Sequence, residues 1–578
     1  MSTDQSAVPQ VPLVLPTRAA VSPTHVRAFH IYDTTLRDGA QQEGLNLSVN
    51  DKLAIAAHLD ELGVGFIEGG WPGANPRDTE FFARARTDLT LRNATMTAFG
   101  ATRRAGLRAA DDPQVRALLD SGAPVVTLVG KAHDAHVRKA LRTTLEENLA
   151  MVSDTITFLR SNGRRVFLDA EHFFDGYLAN RAYALEVLAA AAAAGAEVVA
   201  LCDTNGGMLP SQLADVVGDV VTRMGADGSI VGIHCHNDTG CAVANTLAAV
   251  DAGAMHVQGT LNGYGERTGN ADLVTIVANL ELKKQHVGFA HSGLAEATRI
   301  SHAVSEITNV APYSRQPYVG ASAFAHKAGL HASAIKIDPD LYQHTKPQLV
   351  GNDMRMLVSD MAGRASIEMK SAELGYDFAG DRDLLTRITD RVKAAEMEGY
   401  TFEAADASFE LLLIEEASGS RPRFFDVESW RVHTESRPGA DAVSEATVKL
   451  HARGRRYVVT GEGNGPVNAM DAALRSAITE AYPVVERFEL IDYRVRILDS
   501  SKGTDATIRV LIESTDGEES WETVGVGENI VEASWEALVD SITYGLIRHH
   551  SNPDDVFATR NATTVGVTGL TASAGVEA

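Results

Sequence analysis

From about Phe29 to about Lys283 the sequence repeats one texture eight times: a short apolar run, a polar turn, then a longer stretch of helical period. The runs are FHIYD (29–33), GFIEG (65–69), ATMTAF (94–99), PVVTLV (124–129), RVFLD (165–169), VVALC (198–202), IVGIH (230–234) and HVQGT (256–260). Eight strand–helix pairs in about 250 residues is the arithmetic of a (β/α)8 barrel. A doubly wound open sheet is the alternative. It usually has fewer strands and a Gly-rich phosphate turn after the first, where this chain has TTLRDGAQQEG. Helix signals fill the intervals. Ser48 and Asp51 stand in a capping-box arrangement before Leu53, Ala56, Leu59 and Leu62, and the stretch AYALEVLAAAAAAG ends at Gly195, a terminating glycine.

Beyond the repeat, residues 284–430 read as mostly helical and polar, with a Gly/His-rich insert at 320–335. From about 431 the texture turns β-rich, and two Gly turns lead into helices, at 461–478 and 525–542. Strands, a Gly-rich turn and a helix thus occur twice, a weak internal duplication within one α+β domain. The expected division is a disordered tail at 1–25, a catalytic barrel at 26–290, helical linker subdomains at 291–430, a C-terminal α+β domain at 431–562 and a second tail at 563–578.

A length of 578 residues suits two or three domains, and 44% apolar with 22% charged residues is ordinary globular composition. The formal net charge of −24 argues against non-specific binding to nucleic acid or an anionic membrane, but leaves room for a local cationic pocket. Cys202, Cys235 and Cys241 lack CxxC pairing, which predicts free thiols in a reducing compartment. No run approaches the roughly 18 apolar residues of a membrane span. The N-terminus carries Asp4, lacks a basic leader and is broken by Pro12 and Pro16, unlike a signal peptide, so a cytoplasmic location is expected.

In a (β/α)8 barrel the chemistry sits at the carboxyl ends of the strands. There this sequence places Arg37 and Asp38 after strand 1, Glu68 on strand 2, Asp169 and Glu171 on strand 5, Asp203 and Thr204 after strand 6, and His234 and His236 on strand 7. NGYGERTGN, ending at Asn270, follows strand 8. Residues i and i+2 of a strand face one side, so His234 and His236 can share a metal. The alternative is a hydrogen-bonded pair in the barrel mouth. Strand 1 lies near strand 7 in a closed barrel, so Asp38 would complete a two-His, one-carboxylate set, with Asn270 able to add a carbonyl oxygen. Mn, Mg, Co or Zn all suit such donors. Arg37 is either a surface ion pair or a stabiliser of negative charge on a substrate carbonyl. Thr204 could donate to a carboxylate, and Glu171 could act as a general base. His326 and His331 fall in a Gly-rich loop, where spacing alone indicates exposed histidines.

DTTLRDGAQQEG, HCHND and NGYGERTGN, in that order, resemble the strand-end motifs of the DRE-TIM metallolyase superfamily. FAHKAGLHASAI and YQHTKPQLVGN resemble the post-barrel segment of its isopropylmalate, homocitrate and citramalate synthases. GNGPVNA, LIDYRVRILDSSKGTDA and GVGENIVEAS resemble their C-terminal regulatory dimer domain. GVGFIEGGWPGANPRDTEFF, SAFAHKAGLHASAI and LVSDMAGRASI are most similar to the (R)-citramalate synthase branch. The resemblance covers nearly the whole chain except the tails.

What it implies is a condensing acyltransferase of acetyl-CoA and a small 2-keto acid, pyruvate in that branch, serving isoleucine synthesis. It also implies a divalent metal on Asp38, His234, His236 and Asn270, and Arg37 at the reacting carbonyl. Thr204 would hold the keto-acid carboxylate. Glu171 and His331 would take part in proton abstraction, with Tyr342 near the acyl-CoA. A homodimer and an amino-acid feedback inhibitor are implied as partners. Three rivals remain at this point: a carbon–carbon lyase or aldolase, a 2-isopropylmalate synthase using 2-ketoisovalerate, and a non-catalytic metabolite sensor.

Overall fold

The computed structural model describes residues 29–549 apart from 225–228, 437, 440 and 500–504, so the tails expected at 1–25 and 563–578 lie outside the described residues. Eight strands close into a barrel in chain order: β1 (His30–Asp33), β2 (Phe66–Gly70), β3 (Thr95–Ala101), β4 (Val125–Lys131), β5 (Arg165–Glu171), β6 (Val198–Asp203), β7 (Ile230–Cys235) and β8 (His256–Gly259). All pairings are parallel, and β8 meets β1 with Ile31 opposite Val257. Covered on both faces, such strands become continuous apolar runs. β2 and β6 are buried at every position.

Local signals fix the helices between the strands. The helix Val49–Leu62 opens on Ser48, whose hydroxyl accepts from Asp51 N while the Asp51 carboxylate accepts from Ser48 N, and it closes at Gly63 with φ 92°. The helix Arg181–Ala194 closes at Gly195, φ 95°, where a side chain would be strained. Inside the barrel Tyr32, Phe66, Val125, Phe167 and Val198 pack together. The fully buried His256 ring lies 5.1 Å from Tyr32 and 5.4 Å from Phe167. The interior is therefore a filled core, and polar chemistry is confined to its carboxyl end.

The chain divides into two compact units. One runs to Ala323 and takes in Thr345–Asp353; the other holds Phe324–His344 and continues from Met354. The second unit contains two three-stranded antiparallel sheets, each followed by a helix. The first is Phe425–Glu435, Val443–Ala452 and Arg455–Gly463, then Pro466–Thr479; the second is Glu489–Ile497, Ile508–Thr515 and Ser520–Gly527, then Ile530–Arg548. The duplication extends to packing detail. A Cβ at Gly461 would collide with Ala473 N and Ala469 O, and one at Gly525 with Ala533 O and Ala537 N. In each repeat a strand glycine lets the helix backbone approach its sheet. Gly525→Ala should cost about 1–3 kcal/mol of stability by overpacking. The check is the thermal midpoint of the second unit; an unchanged midpoint would contradict the close approach. Among the described residues no helix is long and apolar enough to cross a membrane.

Candidate metal centre and catalytic cavity

The turn after β1 is locked by its own threonines. The buried Asp33 carboxylate accepts from Thr35 N and Thr35 Oγ1, each at 2.9 Å, and Thr35 Oγ1 accepts from Leu261 N at 2.8 Å. The Thr34 carbonyl accepts from the N–H groups of Arg37, Asp38 and Gly39. This tight loop delivers Arg37 and Asp38 to the barrel mouth in one orientation.

There Asp38 meets β7. Asp38 Oδ2 lies 3.2 Å from His234 Nε2 and 3.8 Å from His236 Nε2, and all three residues are buried. One donor atom from each falls within 4.8 Å of the others, a spacing that one ion can bridge. Two donors each about 2.1 Å from a metal at a right-angled position stand about 3 Å apart, close to the Asp38–His234 separation. Burial opposes charge on Asp38, but Arg37, His234 and His236 outweigh it and hold its carboxyl well below the usual range. Burial, with His234 alongside, pulls His236 down to about 4, so its ring is a neutral donor at neutral pH. Burial also works against charge on His234, but its bond to Asp38 wins and raises its pKa. A cation here would take the place of the proton that His234 and Asp38 share.

Asn270 is bridged to His236 through an isolated antiparallel pairing. Its Nδ2 donates to the Tyr264 carbonyl at 3.1 Å, while its buried Oδ1 has no protein partner. Two imidazoles and a carboxylate within bridging distance fit a divalent ion, and the orphaned buried carbonyl oxygen of Asn270, on the segment paired with His236, is a further oxygen donor of the kind such a site uses. The three cysteines are free thiols, Cys202 and Cys235 buried, and form no sulfur site.

Arg37 is not a surface ion pair. Its Nε donates to Glu68 Oε1 at 2.6 Å, a terminal nitrogen stands 3.4 Å from Asp38 Oδ1, and the guanidinium lies 3.8 Å over the Phe99 ring. Burial disfavours its charge, but Glu68, Asp38 and Asp169 more than compensate and raise its pKa. Glu68 is fully buried and also accepts from Tyr32 Oη at 2.5 Å; Tyr32 in turn meets Thr127 Oγ1 at 2.7 Å. In the sequence Glu68 is a strand-end carboxylate with no partner in view. Its place here is to hold Arg37.

Arg37, Asp38, Glu171, Thr204, His234 and His236 all line one cavity of about 590 Å³ at the carboxyl ends of the strands, together with Trp71, Phe99, Lys131 and Arg267. Glu171 is ion-paired with Lys131, the last residue of β4. Nothing in the sequence marks Lys131, because a partner from a neighbouring strand leaves no trace in linear spacing. Thr204 Oγ1 accepts from His172 N at 2.9 Å, so its own proton remains free to donate. His331 and Tyr342 belong to the second unit, where their rings stack with centroids 4.1 Å apart.

The barrel domain and the C-terminal repeats together place the chain in the DRE-TIM metallolyase group. Three family models match in series: HMGL-like over residues 28–300, the homocitrate synthase post-HMGL domain-like over 318–399, and the LeuA allosteric (dimerisation) domain over 403–546. An (R)-citramalate synthase of Streptomyces coelicolor is 64% identical over 521 residues, 90% of this chain and 97% of its own length. One from Synechocystis is 49% identical over 532 residues, covering 90% and 97%. A 2-isopropylmalate synthase of Bacillus licheniformis is 30% identical over 528 residues, with the same two coverages. The chain belongs to the (R)-citramalate synthase family, and it is an enzyme.

Proposed function

We propose that this enzyme condenses acetyl-CoA with pyruvate and hydrolyses the resulting thioester, giving (R)-citramalate and CoA. The observation that carries this is the 64% identity, nearly end to end, to a relative of that name. The Arg37 and Asp38–His234–His236 geometry supports it chemically. A divalent ion held by Asp38, His234, His236 and Asn270 would act as a Lewis acid on the keto acid. Mn, Mg, Co and Zn remain the candidates.

Around it the chain's own groups have distinct tasks. Thr204 donates its hydroxyl proton to the keto-acid carboxylate and orients the carbonyl carbon. Glu171, with His331 as the family resemblance implies, removes a proton from the acetyl methyl group. The carbanion equivalent attacks the keto carbon of pyruvate; a C–C bond forms and the carbonyl π pair moves to oxygen. Arg37, fixed by Glu68 and Phe99, faces the developing alkoxide with a preorganised positive charge. That oxygen is then protonated, and water cleaves the C–S bond to release CoA and the 2-hydroxy diacid. Tyr342, stacked on His331, is assigned to the acyl-CoA side. By the same resemblance the product feeds isoleucine synthesis in the cytoplasm. The C-terminal domain would carry dimerisation and amino-acid feedback, with 26–290 as the catalytic division, 291–430 as the linker and 431–562 as the regulatory one.

A panel of 2-keto acids scored by release of free CoA thiol tests this. Pyruvate should give the highest kcat/KM, and 2-ketoisovalerate should be at least about tenfold poorer, since two extra methyl groups must be rejected by pocket volume. A preference for 2-ketoisovalerate would make the chain a 2-isopropylmalate synthase. Cleavage of hydroxy acids without CoA release would make it a lyase.

A further inference from the structure

Gln258, on β8, has no role in the site described so far, yet it sits under its centre. The side chain is fully buried. Its Oε1 lies 2.9 Å from His234 Nδ1, its Nε2 donates to Asp169 Oδ1 at 2.8 Å, and the same nitrogen lies 3.3 Å from His256 Nε2.

The amide nitrogen donates to the Asp169 carboxylate, and the amide oxygen then faces His234 Nδ1, where it accepts that ring's N–H. His234 therefore keeps a proton on Nδ1, and the proton a cation displaces is the one on Nε2 that it shares with Asp38. His256 accepts on Nε2 and adds a second anchor to the amide. The amide is tied to β5 through Asp169 and cannot turn over without losing bonds at both ends.

We infer that Gln258 is a positioning residue for the metal centre: it selects the His234 tautomer and ring angle in which Nε2, its proton displaced, binds a divalent cation. Without the amide oxygen, the Nδ1–H would be buried with no acceptor. The ring would then shed its Nδ1 proton and keep the one on Nε2, or rotate, and the cation would have to displace that state before binding. Outer partners of ligating histidines typically contribute ten- to a hundredfold in metal affinity.

The inference rests on the metal reading above, so the experiment separates the two. Full-length protein is stripped with chelator and titrated with Mn²⁺, with free ion followed by electron paramagnetic resonance. Wild type should bind one ion per chain. Gln258→Met, similar in length but without the acceptor, should bind about ten- to a hundredfold more weakly, and its metal-free thermal midpoint should fall, because Asp169 Oδ1 loses a buried donor. Gln258→Glu keeps an oxygen facing His234 Nδ1 and shares one proton with Asp169; it should stay within about threefold of wild type, on the same scale.

Equal affinity in Gln258→Met and wild type overturns the inference and leaves the metal reading intact. Equal weakening in the Met and Glu variants also overturns it, since packing and not the acceptor would then be responsible. Should Gln258→Met fail to fold, Gln258→Glu decides: near-wild-type affinity supports the role, and a tenfold loss refutes it. No Mn²⁺ binding by wild type removes the metal reading itself, and this inference with it.

Discussion

Asp38→Ala should lower the rate of CoA release from acetyl-CoA and pyruvate by about a thousandfold or more, with the barrel still folded. The variant removes the carboxylate that both imidazoles face and the negative charge that balances Arg37. Polarisation of a keto group by a bound cation supplies several kcal/mol, and about 4 kcal/mol corresponds to a factor of about a thousand. The fold should survive because Asp38 fastens no strand. The β1 turn is held by Asp33, Thr34 and Thr35, which the change leaves untouched. Initial rates over a Mn²⁺ series, beside the thermal midpoint of the metal-free protein, distinguish the outcomes. Rates within tenfold of wild type at ordinary metal concentration would remove Asp38 from the site.

Arg37→Lys should lower kcat by about a hundred- to a thousandfold, as loss of a preorganised charge at a developing oxyanion does. The KM for pyruvate should change much less. Charge is kept, so the loss would report geometry. The guanidinium is clamped by Glu68 on one edge and by the Phe99 face, an arrangement that a flexible ammonium cannot reproduce. Arg37→Ala is the harsher variant for a different reason. It leaves the fully buried Glu68 carboxylate with Tyr32 as its remaining hydrogen-bond partner. Breaking a buried pair from one side costs about 3–5 kcal/mol, so that variant should lose stability as well as rate. Steady-state kinetics with a parallel thermal scan separates the two effects. A rise in KM with kcat unchanged in Arg37→Lys would instead make Arg37 a simple binding residue.

The barrel was legible because parallel strands covered on both faces must be apolar from end to end. The run PVVTLV anticipates β4, and VVALC anticipates β6, to within a residue or two. The trio was legible for two further reasons. His234 and His236 are two apart on one strand, and barrel closure through β8 brings β1 near β7. The supports of the trio were harder to see. Gln258 lies in HVQGT, and the cue was a second polar residue two positions after His256, on the same inward face. Its partners come from β7 and β5, 24 and 89 positions away in sequence. Lys131 and Glu171 share the same difficulty, since their pairing follows from β4 lying beside β5. The duplication near the C-terminus was visible as two glycine turns before helices. The reason those strands carry glycine, a helix backbone pressed against each, lies in tertiary packing that linear sequence does not display.

The proposed chemistry turns on one ion at one place. A crystal of the full chain grown with Mn²⁺ and measured near the manganese absorption edge gives the position directly. The expected result is a single strong anomalous peak about 2.0–2.3 Å from an Asp38 carboxylate oxygen and from the Nε2 atoms of His234 and His236. A peak elsewhere, or no peak in a crystal whose protein still releases CoA from acetyl-CoA and pyruvate after chelation, would contradict it.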